Sequence, residues 1–265
     1  MAGGALPAGV TGFGPLERAS VLANIVIFLL LMLYSLFYVS EAPSAVQNAP
    51  WKYRVRYCIK LNIYITMISL LMNLFAVTTT LDPAAQELFR TYVHVCRPLE
   101  WLATCPFMML QMVIIGGPLV QAKRRLEIMG ITSAILILGF FATLQAEATV
   151  KAVLFVCGAM GFGLLCMILS TIVTEHTGGE TTLWSFQPDL DGKQPPLKKL
   201  CLKVITTWIG FPIWWSLSPD GFGFVTDFDL HQGVFLLLNI VSKMVFVIVV
   251  FRLDGVPVPQ YESRH

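Results

Sequence analysis

Seven long apolar stretches, separated by short polar ones, set the pattern of this chain: roughly 19–39, 55–79, 92–116, 126–145, 150–174, 200–219 and 232–252. Each is close to the ~20 residues a helix needs to cross a hydrocarbon core. The sixth is the weakest, because Pro212 interrupts it and Trp and Ser soften it. A buried helix of a large soluble protein explains one such segment, but not seven in 265 residues. The expected fold is therefore an all-α membrane protein, a seven-transmembrane-helix bundle. Residues 1–18 read as an extracellular N-terminal segment, 19–252 as the membrane domain and 253–265 as a cytoplasmic tail. The polar stretch 175–199, with Gly178-Gly179 and Pro195-Pro196, reads as a cytoplasmic linker. No internal repeat or second domain shows.

Composition agrees with the pattern, being 56% hydrophobic and 13% charged; an ordinary soluble domain has about a quarter of its residues charged. The net charge of +2 says little, but its distribution assigns orientation. Lys52, Arg54, Arg56, Lys60, Lys123, Arg124, Arg125, Lys193, Lys198, Lys199, Lys203, Arg252 and Arg264 fall on one side. Arg18, Arg90 and Lys151 fall on the other. The excess of Lys and Arg marks the cytoplasmic side, which puts the N-terminus outside and the C-terminus inside. The N-terminus lacks a basic region followed by an apolar core, so no cleavable signal peptide is expected and the first span can direct insertion. The six cysteines (58, 96, 105, 157, 166, 201) form no ligand-like or disulfide-like cluster. No nucleotide-binding glycine motif, zinc motif or hydrolase elbow is present, which points away from an enzyme and from a nucleic-acid partner.

Lys243 stands in the middle of the last span. A lysine there costs roughly 2.5–3.5 kcal/mol on insertion scales, and it is too deep to snorkel to either interface. It needs a partner or a covalent use, such as a Schiff base to the aldehyde of an organic chromophore. The third span offers a partner. Arg97 and Glu100 lie three apart, and Thr104 and Gln111 continue their face. Glu100 is the only carboxylate well inside a span. An Arg–Glu pair satisfying itself near an interface is the simpler alternative. In the sixth span Trp208, Phe211 and Trp215 repeat at three and four, which stacks three rings on one face around a proline kink. Trp101 adds a fourth ring beside Glu100. Flat aromatic walls suit a long conjugated ligand, though such a stripe is more often packing.

Taken together, Arg97-Pro-Leu-Glu100-Trp101, Thr104-Cys105-Pro106, Trp208-x-x-Phe211-Pro212, Pro219-Asp220-Gly221-Phe222-Gly223 and Ser242-Lys243 resemble the microbial rhodopsins. Within them the chain is most similar to channelrhodopsins, the anion-conducting kind in particular. The resemblance implies all-trans retinal on Lys243, with Glu100 as counterion and Arg97 as the extracellular arginine. It places Trp101, Thr104, Cys105, Met108, Trp208, Phe211, Trp215 and Ser242 around the retinal, and Gly158 near its ionone ring. It also implies a homo-oligomer in the plasma membrane, in contact with membrane lipids. Three departures matter. Cys105 would pair with a fourth-span acid, but 128–146 has none, leaving Thr132 or Ser133 or no pair. Asn239 replaces the usual aspartate one turn before Lys243. Gln111 stands where proton pumps keep a donor carboxyl, and glutamine cannot relay a proton.

The second span carries Asn62, Thr66, Ser69 and Asn73 at spacings of four, three and four, a polar stripe on an apolar helix. Cation-conducting relatives typically carry glutamates there, whereas the charges of this span are Arg56 and Lys60. Acidic linings favour cations, and neutral or basic ones admit anions. Asn24 and Ser35 could extend the lining, and Lys60, Arg97 and Glu100 would join the path. Alternatively, the stripe simply bonds neighbouring helices. The expectation is a light-gated channel for anions such as chloride. A photoreceptor signalling through a partner and a light-gated cation channel are the alternatives; an unrelated seven-helix receptor leaves Lys243 unexplained.

Overall fold

A computed structural model describes residues 15–38, 50–80, 83–185 and 195–256. Among these residues eight helices occur: α1 (Pro15–Tyr38), α2 (Trp51–Thr80), α3 (Pro83–Gly116), α4 (Arg124–Leu144), α5 (Ala148–His176), α6 (Pro196–Trp208), α7 (Gly210–Leu217) and α8 (Phe228–Asp254). Helices α6 and α7 are two halves of one span, so the bundle has seven. They close a ring in which α1 packs on α2 and α8, and α2 through α6 pack in sequence. Both α6 and α7 then pack on α8, which also touches α2.

Apolar side chains cover the outside at helical spacing. Leu22, Val26 and Leu30 do so on α1, Val153, Val156, Met160 and Met167 on α5, and Leu237, Val241 and Ile248 on α8. Polar groups turn inward: Asn24, Asn62, Thr66, Ser69, Glu100, Gln111, Asn239 and Lys243 are all buried. This is the arrangement expected when lipid is the solvent, since helices satisfy their own backbones and polar side chains face the bundle interior. The chain is a multi-pass integral membrane protein.

The interruption expected at Pro212 lies one turn earlier, at Ile209. Proline has no N–H for the carbonyl four residues back, so the lost bond belongs to Trp208. The expected stack of Trp208, Phe211 and Trp215 does not form as such. Trp215 stacks instead on Phe155 of α5 at 5.2 Å, and Phe211 meets Trp101 of α3 edge-on at 5.1 Å. The break turns the rings toward neighbouring helices rather than toward one another.

Several charges assigned to cytoplasmic loops lie on helices. Helix α2 starts at Trp51, where the Pro50 carbonyl accepts the N–H groups of Tyr53 (2.9 Å) and Arg54 (3.2 Å). Helix α6 starts at Pro196, a residue suited to a first helical position. Lys198 is therefore buried on α6, donating to the backbone carbonyl (2.7 Å) and hydroxyl (2.9 Å) of Ser185. The linker following α5 is packed rather than loose over 177–185: the Thr181 N–H donates to the Thr177 hydroxyl at 3.2 Å, and Leu183 is buried. Helix α1 begins at Pro15, inside the stretch expected to precede it. Most of 1–18 and 253–265, with Lys193, Arg264 and the side chains of Arg18, Ser35, Arg90 and Cys96, lies outside the described residues.

At the opposite end, the Ser218–Asp227 connection ties three helices together. Lys151 of α5 donates to the carbonyls of Asp220 (2.9 Å) and Gly221 (3.3 Å). The Asp220 carboxylate meets His231 Nε2 of α8 at 2.9 Å. The Asp227 side chain accepts the Leu230 N–H and caps α8. A Cβ on Gly221 would lie 2.0 Å from the Trp215 carbonyl oxygen, so only glycine fits. We expect Gly221→Ala to destabilise the protein by about 1–3 kcal/mol, the usual range for overpacking. Thermal unfolding in detergent checks this, with Gly163→Ala as the control that should not lower Tm, since Gly163 lies inside α5 and faces open space.

Candidate functional site

Lys243 is 1% exposed and Glu100 4%, and the lysine Nζ meets Glu100 Oε1 in a hydrogen-bonded ion pair. An isolated buried charge is expensive, and a pair is tolerated only when its remaining polar atoms are also satisfied. Here they are. The lysine also donates to the Ser69 hydroxyl of α2 at 2.7 Å and lies 5.6 Å from the centroid of the Phe28 ring of α1. Asn239 Nδ2 donates to the same Glu100 oxygen at 3.2 Å, and Asn239 Oδ1 accepts from Trp101 Nε1 at 3.2 Å. Thr104 donates its hydroxyl to the Glu100 carbonyl at 2.7 Å and so stands behind the pair. The result is a continuous chain, Trp101–Asn239–Glu100–Lys243–Ser69, across α3, α8 and α2. Asn239 is neutral, so this network carries one carboxylate against one ammonium.

Lys243 also lines an apolar cavity. Trp101, Cys105 and Met108 of α3, Gly158 of α5 and Trp208, Phe211 and Trp215 of the broken span line it. Arg97, Asn239, Ser242 and Lys243 complete the wall on the lysine side. Trp215 is anchored by its ring N–H on the Thr143 hydroxyl at 2.9 Å. Arg97 lies with its guanidinium 5.8 Å from the Phe235 ring. Thr132 lines the cavity too, but its hydroxyl donates to the Ile128 carbonyl at 2.7 Å, so it makes no donor for Cys105.

The other side of the lysine meets the polar stripe of α2. Asn62, Thr66, Ser69 and Asn73 are all buried on one face. Thr66 and Asn73 bond back to the carbonyls of Asn62 and Ser69, both at 2.7 Å. Gln111 of α3 donates to Asn62 Oδ1 at 3.0 Å, and Asn24 of α1 donates to the Ser20 carbonyl at 2.8 Å. Lys60 departs from the expected path: it is exposed, because it sits about 200° around the helix from Asn62.

Four participants escaped the sequence reading. Phe235 could have been found, since it precedes Asn239 by one helical turn on the face that carries Lys243. Phe28, Thr143 and Phe155 carry no such signal, because their roles depend on how α1, α4 and α5 are rotated in the bundle.

Comparison with known proteins agrees with this architecture. The profile of the family described as bacteriorhodopsin-like protein matches residues 16–255. Bacteriorhodopsin-I of Haloarcula marismortui is 24% identical over 169 residues, covering 62% of this chain and 63% of that protein. The match thus spans less than two thirds of that relative. Thermophilic rhodopsin from Rubrobacter xylanophilus superimposes with a TM-score of 0.69 at 19% identity, over 90% of this chain and 96% of that one. Halorhodopsin, a light-driven chloride pump, gives a TM-score of 0.69 at 12% identity, over 92% and 99% of the two chains. At such identities these two structures speak for the fold alone. The chain belongs to the bacteriorhodopsin-like protein family, which implies a retinal chromophore. The residues fit such a group: an amine with a carboxylate partner lines an apolar cavity walled by flat rings.

The ion pair can be tested without any chromophore. Glu100→Ala leaves Lys243 buried without its carboxylate, and breaking such a pair typically costs about 3–5 kcal/mol. Thermal unfolding of the retinal-free protein should show that loss, and an unmoved Tm would mean the two groups are not paired.

Proposed function

We propose that this member of the bacteriorhodopsin-like protein family is a light-gated channel that passes anions such as chloride, of the anion-channelrhodopsin kind. The observation that carries the reading is the position of the Lys243 nitrogen, which meets Glu100 on one side and Ser69 of the α2 stripe on the other. A change at this nitrogen is therefore felt at once by the counterion and by the polar face.

All-trans retinal, held by Lys243 as a Schiff base, would supply light absorption and isomerisation. The protein's own residues do the rest. Glu100 balances the charge at Lys243, and Asn239 holds Glu100 in place through its amide. Trp101, Trp208, Phe211 and Trp215 confine a flat ligand, and Met108 and Gly158 complete the cavity. From Asn73 to Asn62 the polar face of α2 is neutral, and the helix has no carboxylate anywhere in its sequence, which admits anions rather than concentrating cations. Gln111 is spent on Asn62 and carries no exchangeable acid, which argues against a proton relay toward the cytoplasm.

Patch-clamp of retinal-supplied cells tests the proposal. Light should give a current whose reversal potential follows the external chloride concentration. A current at zero driving force would mean pumping, a pigment without current would mean a photoreceptor acting through a partner, and indifference to chloride would mean a cation path. Lys243→Ala should abolish the visible absorption band. Glu100→Gln should shift that band strongly, and an unmoved band would remove Glu100 as counterion.

A further inference from the structure

The α2 stripe continues past Asn62 toward the cytoplasm. Cys58 and Arg54 follow at intervals of four on the same face, and both are buried, at 0% and 1% exposure. Cys58 Sγ lies 3.9 Å from the Gln111 carbonyl, still facing α3. The full row is Asn73, Ser69, Thr66, Asn62, Cys58 and Arg54. It begins beside the lysine network and ends in a guanidinium about 22 Å from Ser69 along the helix axis.

That guanidinium sits in a built recess. Arg54 Nη2 donates to the Ile115 carbonyl at 3.3 Å, near the end of α3. Its Cζ lies 5.6 Å from the Trp51 ring, which in turn stacks on His176 of α5 at 6.5 Å. His176 Nδ1 contacts the Gly116 carbonyl at 2.8 Å. Gly117 turns away with φ at +76°, and a Cβ there would come within 2.7 Å of the guanidinium carbon. The chain thus keeps a fully buried cation where α2, α3 and α5 converge. Binding a last-turn carbonyl of α3 would by itself explain an arginine as a cap. It would not explain why the cation falls in phase with every polar residue of the stripe and closes its cytoplasmic end.

Resting on the channel reading above, we infer that Arg54 forms the cytoplasmic constriction of the α2 path and makes it select for anions. A cation held in a narrow, low-dielectric passage raises the local concentration of anions and excludes cations. Arg54 would act on ions that pass it, and its bond to Ile115 would hold the path shut until α2 and α3 separate.

The test compares the light-gated chloride-to-sodium permeability ratio, from reversal potentials, in the full chain and three variants. Arg54→Gln should lower the ratio by about tenfold or more. Arg54→Lys keeps the charge but loses the planar fork, and should stay within about twofold of the parent. Cys58→Asp places a carboxylate one turn from the guanidinium and should lower the ratio as Arg54→Gln does, which covers the case in which Arg54→Gln yields no pigment. Each variant is first checked for its visible band. An unchanged ratio in a pigmented Arg54→Gln overturns the assignment, as does an Arg54→Lys that behaves like Gln, since a pure cap would lose its geometry in both. Loss of pigment in both Arg54→Gln and Cys58→Asp makes the charge structural and also overturns it. A parent protein without any light-gated anion current is a different result, for it removes the channel reading on which this inference rests.

Discussion

A lysine and a glutamate buried against each other in the middle of the bundle constrain nearly everything around them. Neither charge could stay there alone. The lysine nitrogen needs more acceptors than one carboxylate supplies, and Ser69 provides another. The carboxylate needs further donors, and the Asn239 amide provides one. Asn239 in turn has a carbonyl oxygen to satisfy, and the Trp101 ring N–H reaches it. Each partner fixes the rotation of its own helix, so α2, α3 and α8 are locked in register by one pair of charges.

That pair also divides the interior into two unlike halves. Toward α4, α5 and the broken span lies an apolar cavity walled by rings. Toward α1 and α2 lies a row of amides and hydroxyls whose bonds are largely to their own helix or to α3. A ligand that fills the first half is separated from the second by a single side chain. The apolar cavity and the polar row thus adjoin through Lys243, with no long relay between them.

Much of this was legible in the sequence, for identifiable reasons. Seven apolar lengths define the spans, because lipid imposes their length. Lys243 and Glu100 stand out because a charge in a span is rare and costly. What stayed hidden depends on two things that periodicity does not carry. The first is where helices begin: with α2 starting at Trp51, Arg54 is an interior residue of a helix, whereas a start at 55 makes it a loop charge. The second is the rotation of one helix against another. The stripe's phase within α2 was plain, but that Ser69 faces Lys243 depends on how α2 and α8 are turned. The same uncertainty hid Phe28 and Phe155. Lys60 is adjacent to the stripe in sequence but lies across the helix from it, exposed, because angle and not nearness sets which face a residue joins.

The break at Ile209 has a mechanical consequence. It divides the sixth span into a short arm, α7, of eight residues and a longer arm, α6, of thirteen. The arms are about 12 and 20 Å long. Two of the rings that line the cavity, Trp208 and Phe211, flank the pivot itself. A tilt of about ten degrees would sweep the far tip of the long arm through about 3 Å, roughly the width of a water molecule. Without the N–H of Pro212 to tie the Trp208 carbonyl, the two arms bend about Ile209 more readily than an unbroken helix would.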